Sequence, residues 1–221
     1  MLFHSTRGND SGKDFATILM QGLAADGGLF MPDHWPQVDL EEIKSKASFV
    51  DVAKCIVPLF TASSFSEDET IKIIEDTWHD FEHQDLIGIK TFNNVSILEL
   101  FHGPTAAFKD FGLQLAAAFF NQVLESENKT AIVLGATSGD TGPAAIDACK
   151  GFERIKSFIM LPNGNMSEVQ RRQMSTIDAK NIFALRINGT FDDCQDLVKH
   201  AFKQRDFLNS DQYLLAVNSI N

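Results

Sequence analysis

Positive charge is scarce in this 221-residue chain: 19 Lys and Arg stand against 30 Asp and Glu, for a net charge of −11. A nucleic-acid or anionic-membrane surface needs a basic face, so both partners are argued against. An anionic small molecule is left only a local pocket of donors. Cysteine is scarce as well. Cys55, Cys149 and Cys194 are an odd number at wide spacing in apolar or helical contexts. That excludes a disulfide framework and predicts reduced core residues in a cytoplasmic protein. Met1 to Phe15 has no apolar stretch of signal-peptide length, and no run approaches a membrane span. Internal repeats and low-complexity linkers are also missing. A composition 44% hydrophobic and 22% charged is that of a globular chain with one or two domains and a real core.

The first part of the chain reads as mostly helical. Ile18, Leu19 and Leu23 recur at helical spacing and stop at Asp26-Gly27-Gly28, a turn, before a short extended piece from Leu29 to Pro32. Helices are predicted over 41–47, 50–59 and 68–81, the last capped by Ser66 with Glu69 three residues on. On that helix His79 and His83 lie four apart, a metal-compatible spacing for which the sequence supplies no third ligand, so surface histidines are expected. Trp78 and Phe81 are expected in the core.

From residue 87 the pattern changes. Segments 87–92 and 95–101 read as strands around an Asn93-Asn94 turn. Thr105 is positioned to cap a helix from about Ala106 to Glu125, with Phe111, Leu115, Phe119 and Val123 at steps of four. Strands over 130–134, 157–161, 181–187 and 213–217 then alternate with helices over 143–150, 167–174 and 191–205. Short apolar strands separated by helices predict an α/β fold with a parallel sheet covered on both faces. The expected division is a helical region, 1–86, and an α/β domain, 87–221.

Chemistry enters at Lys109, in the first turn of the 106–125 helix. The positive end of the helix dipole disfavours an ammonium there, and Phe108 and Phe111 would strip water from it. A neutral lysine amine attacks carbonyls, so the setting suits Schiff-base chemistry or a pyridoxal anchor, although a solvated lysine at a helix start reads the same locally. Ligands of such sheets bind beyond the carboxyl ends of the strands. There Gly135-Ala-Thr-Ser-Gly-Asp-Thr-Gly142 can cup an anion with its amides and the Thr137, Ser138 and Thr141 hydroxyls. It matches neither the dinucleotide glycine pattern nor a P-loop, and a turn with no ligand stays open as a reading. Of the other loops, 162–166 leads into a helix with Ser167 and Gln170 in capping-box spacing. Arg171 or Arg172 behind it could face a phosphate, a solvated pair being the ordinary expectation. The loop Asn188-Gly189-Thr190 reads as a plain turn.

Phe101-His-Gly-Pro-Thr-Ala-Ala-Phe-Lys-Asp-Phe-Gly112 resembles the pyridoxal-lysine segment of the threonine synthases, in the branch that also carries His4-Ser-Thr-Arg-Gly8. Gly22-Leu-Ala-Ala-Asp-Gly-Gly-Leu-Phe-Met-Pro32 is similar to the same family. The resemblance spans His4 to Asn221 and implies the tryptophan synthase β-like fold of αβα layers, with pyridoxal 5′-phosphate held by Lys109 as a Schiff base. It implies that Lys109 is also the catalytic acid and base, and that Asp140 and Asn218 lie at the cofactor. Asp140 is expected to face the cofactor's phenolic oxygen or a backbone amide. Thr137, Ser138, Gly139 and Thr141 would hold the substrate carboxylate. The implied reaction converts O-phospho-L-homoserine and water to L-threonine and phosphate. The family's chain is longer, so this one is expected to be its amino-terminal portion, with the groups for the cofactor phosphate and pyridine nitrogen in the absent carboxyl-terminal half, and with self-association of any uncovered apolar face. A serine or threonine dehydratase on the same scaffold, and a non-catalytic anion-binding α/β module, remain the alternatives.

Overall fold

The computed structural model describes residues 1–164 and 166–216, and packing divides the chain into two compact units that meet in sequence between Gly103 and Pro104. In the first unit, strands β1 (Phe3–Ser5), β2 (Ser11–Lys13) and, after helix α1 (Phe15–Gln21), β3 (Phe30–Pro32) form an antiparallel sheet in the order β2-β1-β3. Strands of three residues are too short for a hydrophobic period to show, so β1 and β2 escape a reading from sequence pattern. The sheet joins the two family-like strings: Ser5 pairs with Phe30, and the Ser5 hydroxyl donates to Asp26 Oδ1 at 2.6 Å. The Gly28 N–H donates to the same oxygen at 2.9 Å, and together these bonds hold the Asp26 carboxyl below its ordinary pKa. These bonds tie the two strings to each other.

Helices α2 (Leu40–Lys44), α3 (Phe49–Thr61) and α4 (Glu67–Glu75) follow. The capping box opening α4 is present: Glu69 N–H donates to Ser66 Oγ at 3.3 Å and Ser66 N–H to Glu69 Oε2 at 2.8 Å. The helix ends at Glu75, short of 81, and Trp78 takes φ +64. His79 and His83 therefore do not share a helix face; His79 is exposed, and His83 lies against the His102 ring at 4.6 Å. Among the described residues no group of three or more His, Cys, Asp and Glu could hold a metal. Trp78 is core, edge-on to Phe49. Strands β4 (Gly88–Phe92) and β5 (Val95–Glu99) form the expected hairpin, with Asn93 at φ +51 in its turn. The hairpin groups with this first unit, where Glu82 N–H donates to the His102 carbonyl at 3.0 Å.

The second unit runs α5 (Lys109–Ser126), β6 (Thr130–Ala136), α6 (Thr141–Cys149), β7 (Ile155–Pro162), α7 (Glu168–Ser175), β8 (Ile182–Ile187), α8 (Phe191–Lys203) and β9 (Gln212–Ala216). The four strands are parallel in the order β8-β7-β6-β9. Right-handed crossovers put α6 and α7, which step from β6 to β7 to β8, on one face, and α8, which returns to β9, on the other. Both faces are thus covered, and strands β6 and β7 are apolar throughout most of their length. The core on the α6–α7 side gathers Ala145, Ile146, Ile159, Leu161 and Met174, with Leu113 of α5 packed against it. Cys149 and Cys194 are buried and free, and Cys149's thiol is pushed up to about 12 by burial. No helix among the described residues is long and apolar enough to cross a membrane.

Ile159 sits in the middle of β7 at 1% exposure. Ile159→Ala is expected to lower the unfolding free energy by about 2–5 kcal/mol and Ile159→Val by about 1 kcal/mol, read from urea denaturation midpoints. Equal effects of the two would mean that the site collapses around the deletion.

Candidate active site

All carboxyl ends of the parallel strands lie at one edge, and the helices return their amino termini to it. Helix α5 reaches β6 through a short turn at 127–129, so it runs antiparallel to that strand. Its 18 residues span about 27 Å and the seven of β6 about 23 Å, which brings Lys109 level with the carboxyl end of β6. Helix α6 starts at the same edge, and Gln114 Nε2 donates to Asp147 Oδ2 at 3.3 Å. Gln114 lies five residues into α5 from Lys109, and Asp147 five residues into α6 from Gly142. Two parallel helices in that register set Lys109 beside the glycine-rich loop.

Lys109 is the first residue of α5, so it lies in the first turn as expected, but Thr105 does not cap that helix from its predicted start at Ala106. Instead Thr105 N–H donates to Asp110 Oδ2 at 3.0 Å and its hydroxyl to Oδ1 at 2.5 Å. This clasp folds 105–108 into a turn in which Ala106 adopts φ +56. A left-handed alanine costs on the order of 1–2 kcal/mol, so the turn persists because the clasp over-determines it. Asp110 is fully buried; burial raises its pKa above 3.8, against the lowering effect of the Thr105 hydrogen bonds. Lys109 Nζ lies 5.3 Å from the centre of the Phe108 ring, and among the described residues it meets no carboxylate. Phe108 is 58% exposed, so it lies over the amine without closing it off from water; Phe111 is half-buried.

The loop from β6 to α6 is organised by one hydroxyl. Thr137 is buried, and its Oγ1 accepts from the Gly139 N–H at 3.2 Å and the Gly142 N–H at 3.1 Å while donating to the Gly139 carbonyl at 3.0 Å. Its hydrogen-bonding capacity is filled within the loop. The helix begins at Thr141, two residues before the predicted start, and Pro143 at its third position has no N–H to give. The amides of Ser138, Asp140 and Thr141 are left without an acceptor among the described residues, in an exposed or half-exposed loop at a helix amino terminus. That is a setting for an anion. A Cβ on Gly142 would lie 2.3 Å from Thr137 Cγ2 and 2.6 Å from Met174 Sδ, so glycine is what lets loop and α7 close on each other. Asn218 lies outside the described residues.

Asp140 holds the cap position of α6 yet makes no cap bond with the helix; its Oδ1 accepts from Gln170 Nε2 of α7 at 2.5 Å. Gln173 Nε2, one turn further along α7, donates to the Thr105 carbonyl at 3.0 Å. Helix α7 thus grips the lysine segment with one side chain and the glycine-rich loop with the other. The sequence marked Gln170 only as a capping partner of Ser167 and did not mark Gln173, Thr105 as a clasp, or Asp110. The spacing of three between the glutamines, on a helix following a strand, was the available signal. Arg171 and Arg172 both pair with Glu168, as a solvated pair would.

Two family profiles match this chain: Threonine synthase N terminus over residues 2–78, and Pyridoxal-phosphate dependent enzyme over residues 92–221. A threonine synthase of Pseudomonas aeruginosa is 44% identical over all of this chain and 48% of its own length, and one of Saccharomyces cerevisiae is 41% identical over all of this chain and 46% of its own. Among solved structures, a pyridoxal-phosphate-bound threonine synthase of Brucella melitensis superposes with a TM-score of 0.93 at 41% identity, covering this whole chain and 48% of that one. A yeast threonine synthase gives 0.89 at 37% identity, over 100% and 46%. The chain spans about half the length of the curated relatives it matches.

Gly142→Ala is expected to cost about 1–3 kcal/mol through overpacking against Thr137 and Met174, whereas Gly139→Ala, with open space around its Cβ, should cost under about 1 kcal/mol. Urea midpoints of the two variants check the contrast. Asp110 provides a pH test. Its raised folded-state pKa means that the native protein binds this proton more tightly than the unfolded chain. Its contribution to stability is therefore highest below 3.8 and falls as pH rises through the raised value. The stability of Asp110→Asn relative to the unsubstituted protein should accordingly climb with pH across the acid range; a flat difference in urea midpoints would contradict this.

Proposed function

This chain belongs to the pyridoxal-phosphate dependent enzymes and carries the amino-terminal domain of the threonine synthases, and on that premise we propose that it is the lysine-bearing portion of an enzyme converting O-phospho-L-homoserine and water to L-threonine and phosphate. The observation that carries the reading is the pairing of Lys109, at the amino end of α5, with the open amides of Ser138, Asp140 and Thr141 at the amino end of α6. An amine and an anion cup on adjacent parallel helices are what an α-amino acid bound through a pyridoxal group requires.

The residues present fit that group at its reactive end. Lys109 would hold the cofactor's aldehyde carbon through Nζ, and it has no competing carboxylate among the described residues. Pyridoxal phosphate, when bound, supplies the electron sink that makes the α and β protons of an amino acid removable. Lys109 would be the acid and base: its Nζ would take protons from the α and β carbons and return them to the α and γ carbons, as phosphate leaves the γ carbon with a proton of the water whose hydroxyl adds at the β carbon. The loop amides hold the substrate carboxylate. Thr137 acts by shaping the loop, because its hydroxyl is already engaged with Gly139 and Gly142. The Thr105–Asp110 clasp fixes where α5 begins and so where the amine stands.

In a protein of the relatives' full length, Lys109→Ala should lower threonine formation from O-phospho-L-homoserine by about a thousandfold or more. Borohydride reduction after incubation with pyridoxal phosphate should leave a pyridoxyl adduct on the peptide containing Lys109. Turnover of L-threonine in preference to O-phospho-L-homoserine would redirect the assignment to a dehydratase. Retained threonine formation in Lys109→Ala would remove the assignment.

A further inference from the structure

Helix α6 has a carboxylate at its cap that does not cap it. An Asp in that position ordinarily accepts from the second or third N–H of the helix. Here the second, Gly142, gives its N–H to Thr137, and the third, Pro143, has none. The Asp140 carboxylate is therefore free of local duty while standing beside the three open amides, where it would both compete with and repel an incoming anion. Gln170 takes it away. The glutamine's orientation is fixed at both ends: Oε1 accepts from the Ser167 hydroxyl at 2.9 Å, which leaves Nε2 to donate to Asp140 Oδ1 at 2.5 Å. Ser167 is in turn anchored by the Gln170 N–H at 3.2 Å.

We propose that Gln170 is a positioning residue that draws the Asp140 carboxylate off the amino terminus of α6, so that the Ser138, Asp140 and Thr141 amides are open to the carboxylate of an amino-acid substrate. The inference rests on the function proposed above. It predicts a coupling: Gln170 matters for anion binding only while residue 140 carries a charge.

The test uses a protein of the relatives' full length loaded with pyridoxal phosphate, with L-threonine as the probe and the change in cofactor absorbance as the readout. Gln170→Ala and Gln170→Glu should each raise the Kd for L-threonine by about tenfold, Glu the more because it sets a second carboxylate against the first. Asp140→Asn should bind at least as tightly as the unsubstituted protein, and Gln170→Ala added to Asp140→Asn should change the Kd by less than about twofold. A Kd unaffected by Gln170→Ala, or one whose rise persists in the Asp140→Asn background, would overturn the inference and leave Gln170 a structural tie. If Gln170→Ala fails to fold, Gln170→Glu with and without Asp140→Asn carries the same comparison. Absence of Lys109 labelling by borohydride in the unsubstituted protein would instead overturn the function on which the inference rests.

Discussion

The carboxyl edge of the second unit depends on the register of three helices over one apolar contact, where Leu113 of α5, Ile146 of α6 and Met174 of α7 meet above the sheet. Packing at crystal-like density leaves no room for these helices to slide independently. Because α5 and α6 are parallel and begin at the same edge, fixing their register fixes the distance between a lysine amine and the glycine-rich loop. The glycine at position 142 is the condition for that register, since any side chain there would push α7 and the loop apart.

Polar bonds then refine what packing sets. Helix α7 contributes no reactive group, yet Gln173 and Gln170 reach the lysine segment and the loop from successive turns. The Thr105–Asp110 clasp holds a left-handed alanine one turn before the lysine, and Asp110 bears the cost of full burial to do so. Buried polar groups of this kind contribute little net stability, but they favour one geometry over its neighbours, which a positioned amine needs. The first unit works differently: its short antiparallel sheet and the Asp26 carboxylate tie two distant strings together without presenting any comparable group.

Much of this was legible in the chain itself. Alternation of apolar strands with helices announced the parallel sheet, and strand positions erred mainly at their ends, because a strand's last residues are set by pairing partners that sequence does not display. Helix α4 ends six residues before its predicted end because Trp78 and Phe81 keep an apolar rhythm after the backbone has left the helix. Helix α5 begins three residues after its predicted start because Thr105, a cap by residue type, gives its hydrogen bonds to Asp110. The placement of the segments around Lys109 and Gly135 is legible because it is local: a lysine in a helix's first turn and glycines between a strand and a helix.

The sequence by itself determined the kind of chemistry available, since an amine at a helix start and an amide-rich loop are consequences of residue type and order along a few positions. Only the tertiary structure decided how those parts are used. Thr137 became a loop brace, Asp140 turned outward to Gln170, and a helix without reactive groups became the element that positions both segments. The reason is that a hydrogen bond between residues thirty or sixty-eight positions apart leaves no periodic trace in the chain, and exists only once the sheet has brought its helices to one edge.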